Sequence, residues 1–137
     1  MSRRVVVTGL GAITPVGNDV DTMWKNLVDG VCGIETITDF DTSELKVHIA
    51  GTVKDFEPEK YIEKREVRKL DLYTQYALAA AQQAVDDSGI MGKIDENRFG
   101  VYIGAGIGGL HTFEKNTIAM EKGGAKKVSP FFIPMMI

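Results

Sequence analysis

Four glycines fall within six residues at Gly104, Gly106, Gly108 and Gly109, directly behind the apolar run Val101-Tyr102-Ile103. Glycine at that density means that the backbone adopts angles closed to other residues, or approaches something too closely for a side chain. The stretch from Gly100 to Gly109 therefore predicts a short buried strand, a glycine turn and a following helix. Gly104, Gly106 and Gly109 also satisfy G-x-G-x-x-G, the pattern of dinucleotide-binding loops. That use requires an acidic residue at the end of the next strand, about 20 residues on. Glu121 lies near that distance, but in helical sequence that runs into Gly123-Gly124. The first strand of the chain, where such a fingerprint belongs, leads instead into Gly9-Leu10-Gly11 and then Pro15. A bare motif without its context is a weak argument for a nucleotide site.

Arg4 to Thr8 reads as that first strand. Its valine triplet does not alternate with polar residues, so both faces are expected to be covered, as in a parallel or mixed central sheet. Pro15 and Gly17 forbid an immediate helix. Asn18 or Asp19 can cap a helix over Val20 to Asp29 with Met23, Trp24, Leu27 and Val28 on one face, and Gly30 ends it. Gly30 to Ser43 shows no period and reads as loop. Val47 to Val53 alternates weakly, as an edge strand would, and Pro58 suits the first turn of a short helix. The strongest helical period spans Asp71 to Ser88, with Tyr73, Tyr76, Ala77, Ala80 and Ala84 at helical spacing and Gly89 as the stop. A last helix is expected from Leu110 to Lys122. Beyond it, six of the last seven residues are apolar. Such a tail is expected either to dock into a partner or to belong to a chain cut short of its natural end.

The 137 residues suit one domain with a moderate core. A net charge of -3 gives no general reason to expect nucleic acid or a membrane as partner. No apolar run approaches the about 20 residues of a membrane span. The single cysteine, Cys32, allows no internal disulfide and agrees with a reducing, cytoplasmic setting. Cys32 lies after a helix end with no local base, which reads as a passive loop thiol. His48, in an expected strand, and His111, at a helix start, lack metal-ligand spacing. Lys64, Arg65, Arg68 and Lys69 stand out more. On a helix they fall within an arc of about 140°, with Glu63 and Glu66 on the other side. That is either an ordinary solvated face or a positive docking surface for an acidic partner.

Several blocks in order then carry a resemblance. They are Val5-Val6-Val7-Thr8-Gly9-Leu10-Gly11, Thr14-Pro15-Val16-Gly17-Asn18, Trp24, Gly33-Ile34 and Phe40-Asp41. They continue with Lys69-Leu70-Asp71, Gln75-Tyr76-Ala77, Gly106-Ile107-Gly108-Gly109 and Ser129-Pro130-Phe131-Phe132-Ile133-Pro134. Through nearly its whole length the chain resembles the N-terminal part of a β-ketoacyl-acyl carrier protein synthase, closest to the type II elongating condensing enzymes of bacterial fatty acid synthesis. Ala105 stands where many relatives have Ser, and Ala125 where they often have Pro.

The resemblance implies a thiolase-like α/β fold, a layered α/β/α/β/α arrangement that works as a homodimer. Residues 1–137 would be an incomplete N-terminal β-ketoacyl synthase domain, holding only part of the N-terminal half. The implied reaction is a decarboxylative Claisen condensation through an acyl-cysteine, without metal or organic cofactor, in which two histidines stabilise developing charge. In relatives the nucleophile lies in a Thr-Ala-Cys motif shortly downstream of the segment matching Ser129 to Ile137. No catalytic residue is therefore expected in this chain, and the chain alone is expected to be inactive. Ile107, between Gly106 and Gly108, matches the residue that gates the acyl pocket. Phe132 matches an aromatic reaching across the dimer interface toward the partner's pocket. Lys64, Arg65, Arg68 and Lys69 match the docking face for the acidic acyl carrier protein. The alternatives are a non-catalytic module that binds the carrier and, behind it, a nucleotide-binding oxidoreductase domain.

Overall fold

The computed structural model describes residues 3–137, in which five α-helices and one two-stranded ribbon form. Asp19 begins the first helix, α1 (Val20–Val28): its carboxylate accepts the Thr22 N–H at 2.7 Å and the Thr22 hydroxyl at 2.8 Å. Those bonds hold the Asp19 carboxyl below the usual carboxylate range. Of the two capping candidates Asp19 does the work, because the Asn18 amide is engaged with the Lys54 carbonyl at 2.7 Å. Gly30, at φ 72°, turns the chain out of the helix. The apolar face expected on α1 is present but bare, with Trp24 65% exposed.

Strands β1 (Ile34–Thr36) and β2 (Ile49–Gly51) pair antiparallel, Glu35 opposite Ala50. The expected edge strand is thus β2. Its partner β1 lies in sequence expected to be loop. Three residues are too few to show a period, and only the pairing makes them a strand. A 3-10 turn at Pro58–Lys60 leads into the one-turn helix α2 (Lys64–Val67).

Helix α3 (Leu72–Ser88) is the axis of the molecule. Gly89 ends it in the left-handed conformation at φ 55°. Its alanines leave a smooth surface, and residues 9–12 lie directly on it. The Leu10 N–H donates to Asp87 at 2.9 Å and the Ala12 N–H to Gln83 at 3.0 Å. A Cβ on Gly9 or Gly11 would overlap the carbonyl oxygens of Ala84 and Ala80. Gln83 also donates to the Asn18 carbonyl and the Tyr61 hydroxyl, tying the N-terminal segment to the 3-10 turn. Helix α4 (Leu110–Gly123), a 3-10 turn at Ala125–Lys127 and the short α5 (Phe132–Met136) complete the chain.

Two expected strands do not form. Residues 4–8 and 101–103 make no ladder; Val5 is 85% exposed and Tyr102 wholly so. Both runs have strand chemistry, but a ladder needs a neighbouring edge, and none lies beside them among the described residues. Burial is correspondingly thin, with Ile62 and Ala79 the buried apolar side chains and Gln75, Thr112 and Asn116 buried polar ones. The accessible surface is 11146 Å², against about 7,000 Å² for a compact monomer of this mass. Among the described residues no helix is long and apolar enough to cross a membrane.

Candidate functional site

The glycine turn does not stand alone; it closes onto the last helix. The Gly109 N–H donates to the Met136 carbonyl at 2.9 Å. Gly108 sits at φ 71°, and a Cβ there would lie 2.5 Å from the same carbonyl oxygen. Gly108 is therefore required twice over, by its dihedral and by the close approach of α5. A Cβ on Gly104 or Gly106 would meet nothing within 4 Å among the described residues. The density of glycine thus has different causes at different positions.

Helix α4 starts with a defect that the sequence does not repair locally. Its N-cap, Gly109, has no side chain, and its first turn contains no acid. The missing acceptor comes from the start of α3. Asp71 makes no capping bond to its own helix. Its Oδ2 instead accepts the Thr112 N–H at 3.2 Å and the Thr112 hydroxyl. A carboxylate cap of this kind stabilises a helix start by about 1–2 kcal/mol. Asn116, one turn on, donates to the Thr112 carbonyl at 2.8 Å and accepts the Ser129 N–H at 2.7 Å.

The same carboxylate decides the nucleotide question. Phosphate binding at a helix N-terminus uses free N–H groups and the positive end of the dipole. Here Asp71 holds an anion at that place, and the Met136 carbonyl has taken the Gly109 N–H. A phosphate would meet a carboxylate. Glu121, the acidic residue the motif would need, lies inside α4.

Beneath the glycine turn is an open cavity of about 530 Å³, lined among others by Tyr73, Ala77, Leu78, Ile103, Ile107 and Met136. Gly106 and Gly108 share its wall with Ile107, which is 75% exposed. The three loop residues singled out in the sequence therefore meet at one apolar site. Phe132 is not among the residues lining that cavity; its ring packs against Phe113, centroids 6.2 Å apart.

The basic segment differs from the expected charge-segregated helix. Helix α2 covers a single turn, so no long face exists to separate the signs. Lys64 pairs with Glu59 at 3.3 Å, Arg65 with Glu63 at 2.8 Å and Lys69 with Glu66 at 2.7 Å. The Lys69 ammonium in turn holds Glu66 below the usual carboxylate range. Glu63 and Glu66 are thus close enough to bind the cations that the helical projection put on another side. Arg68, at the C-terminal cap of α2, is the exposed cation of the four with no ion pair among the described residues. Gln75 fixes the segment against α3 by donating to the carbonyls of Val67 and Leu70. Lys69 also lies 5.9 Å from the centre of the Phe131 ring, linking the basic segment to the chain just before α5.

Cys32 is exposed, and its Sγ faces the Ile34 carbonyl at 3.6 Å, an acceptor and not a base. His48 precedes β2 and pairs with the Thr42 hydroxyl at 3.1 Å; His111 is the second residue of α4. Among the described residues no group of three or more His, Cys, Asp or Glu side chains could hold a metal. Sequence reasoning missed Asp71, Thr112, Asn116 and Ser129. The available signal was a helix start at Gly109 with neither a capping side chain nor an acid in its first turn.

Comparison with known proteins identifies the family. The family model of the β-ketoacyl synthase N-terminal domain matches residues 2–137. A 3-oxoacyl-[acyl-carrier-protein] synthase 2 of Staphylococcus aureus (strain COL) is 49% identical over 139 residues, covering 99% of this chain and 33% of the relative. The protein of the same name from Vibrio harveyi is 49% identical over 137 residues, covering 98% and 33%. The chain thus spans about a third of the length of the curated relatives it matches. Among solved structures, a ketosynthase bound to a hexaketide, in complex with its type II PKS acyl-carrier protein, superposes with TM-score 0.77 at 31% identity, covering 96% of this chain and 34% of that one. The ishigamide ketosynthase/chain length factor gives 0.78 at 30% identity, covering 98% and 34%. Residues 3–137 thus carry part of the thiolase-like α/β fold of the ketosynthases, and the chain belongs to the β-ketoacyl synthase family, matching its N-terminal domain.

Proposed function

We propose that the chain supplies the N-terminal portion of a fatty-acid elongating condensing enzyme that works in the cytoplasm as a homodimer, with acyl carrier protein as its partner. A cysteine thiolate outside these residues attacks the thioester of an acyl-carrier protein, forming the acyl-cysteine, and the carrier leaves as its thiolate. Malonyl-carrier protein then loses CO₂, and the electron pair left on its α-carbon attacks the acyl-cysteine carbonyl. The cysteine thiolate departs, and the product is a 3-oxoacyl chain two carbons longer. Neither Cys32 nor the two histidines of this chain enters that sequence.

The observation that carries the proposal is the apolar cavity under the glycine turn, whose wall brings Ile107 together with Gly106 and Gly108. In this reading the cavity receives the acyl chain, and Ile107 is its movable apolar wall. Phe132 belongs to the dimer contact, directed toward the pocket of a second copy. The large exposed apolar surface supports a role inside a bigger folded unit more than a free-standing binding module. Lys64, Arg65, Arg68 and Lys69 form the carrier docking segment, with Arg68 its cation without an ion pair among the described residues.

The decisive experiment uses the complete protein with acyl-carrier protein donors of increasing length. Ile107→Phe should crowd the cavity and lower kcat/KM most for the longest donors. Equal activity ratios at every length would reject Ile107 as the wall.

A further inference from the structure

The acyl cavity is bounded by two backbone segments that carry few anchoring side chains. One is the glycine turn, residues 104–109; the other is the last turn of α5 with Met136 and Ile137. Neither is held by a buried apolar core, yet a selective wall must sit at one depth.

We infer that Asp71 is the positioning residue that sets that wall, an assignment resting on the acyl-pocket reading above. From Asp71 a path of hydrogen bonds, continued by the backbone of α5, reaches Gly109 at the end of the glycine turn and returns to the first turn of α4. Asp71 accepts two bonds from Thr112, and Thr112 offers its carbonyl to Asn116. Asn116 accepts the Ser129 N–H, and the Ser129 hydroxyl accepts the Phe131 N–H at 3.1 Å at the entrance to α5. At the far end of α5 the Met136 carbonyl accepts the Gly109 N–H, one turn from Thr112. The ring therefore grips α5 at both ends and α4 at its first turn. Thr112 is 6% and Asn116 8% exposed, so water cannot readily replace a lost partner. Asp71 is the one member that anchors the ring to α3, which also supplies the opposite wall through Tyr73, Ala77 and Leu78. Without that anchor the first turn of α4 frays, and residues 104–109 have no side chain bonds to hold them at a fixed depth.

The test uses the complete enzyme and the ratio of kcat/KM between its preferred acyl donor and one four carbons longer. Asp71→Ala should flatten that ratio by about tenfold, a smaller effect than the about hundredfold that a 1 Å misplacement can cost. Asp71→Asn, which keeps a carbonyl oxygen for the Thr112 donors, should hold the ratio near that of the parent. Thr112→Val keeps the N–H bond and loses the hydroxyl, so it should flatten the ratio in the same direction but less. It serves as the deciding variant if Asp71→Ala does not fold. Loss of activity by the same factor at every chain length, in Asp71→Ala or Thr112→Val, would overturn the inference. If Ile107→Phe shifts the ratio and the Asp71 and Thr112 variants do not, the pocket stands and the positioning role falls. If none shifts it, both fall.

Discussion

Gly109→Ala tests whether close backbone approach explains the glycine turn. The φ of Gly109 is -79°, outside the left-handed region that favours glycine, so the substitution tests close approach and not handedness. A Cβ at this position would lie 2.5 Å from the Met135 carbonyl oxygen, 2.8 Å from the Met136 Cα and 3.1 Å from the Asp71 carboxylate. The first two neighbours are backbone and cannot swing aside, so the last turn of α5 must retreat. Overpacking of this kind costs about 1–3 kcal/mol. The retreat also stretches the Gly109 to Met136 hydrogen bond, adding about 1 kcal/mol. A loss of about 2–4 kcal/mol is expected in all. Gly106→Ala is the internal control, because among the described residues nothing lies within 4 Å of the added Cβ and its φ is not positive; it should stay within about 0.5 kcal/mol of the parent. Denaturant unfolding of the complete protein measures both, and hydrogen exchange at the Thr112 amide locates the damage. A Gly109→Ala variant as stable as the parent, or a Gly106→Ala variant equally damaged, would refute the reasoning.

Three further outcomes are expected. Charge reversal at Arg68 should weaken carrier binding about fivefold and flatten its salt dependence, whereas reversal at Arg65, already paired with Glu63, should do less; titration calorimetry at two salt concentrations reads the difference, and equal effects would remove the distinction. Asp19→Ala should destabilise α1 by about 1 kcal/mol, visible as faster amide exchange over Val20–Val28 in the complete protein. Because the Asp19 carboxyl is held below its ordinary range when folded, its contribution is present above the unfolded pKa and fades as pH falls through the folded one, so the variant and parent should converge under acid. Burial pushes the Tyr76 hydroxyl up, so its stabilisation is full below the unfolded pKa and lost as pH rises through the folded value. Tyr76→Phe should remove that alkaline loss while keeping the edge-on packing of the ring against Phe56, 4.9 Å between centroids; an unchanged alkaline unfolding profile would contradict it.

The sequence by itself determined the helices with strong local signals, and the family. Asp19, the alanine period of α3 and the glycines at Gly30 and Gly89 act within a turn or two of their own position, so their effects read directly from the residues. The gathering of Gly106, Ile107 and Gly108 at one site was equally legible, because they are adjacent. Strands were not legible in the same way. Arg4–Thr8 and Val101–Ile103 have the right composition and form none, while Ile34–Thr36 lacks a period and does, because a strand exists only through its partner. Charge followed the same rule. The positive arc at Lys64, Arg65, Arg68 and Lys69 assumed a long helix, and the single turn that forms lets three carboxylates fold back onto three of the cations. Only the tertiary structure decided that Asp71 starts one helix and caps another. A capping bond spanning 41 residues leaves no periodic trace in the chain, and its energy appears only once α3 and α4 lie side by side.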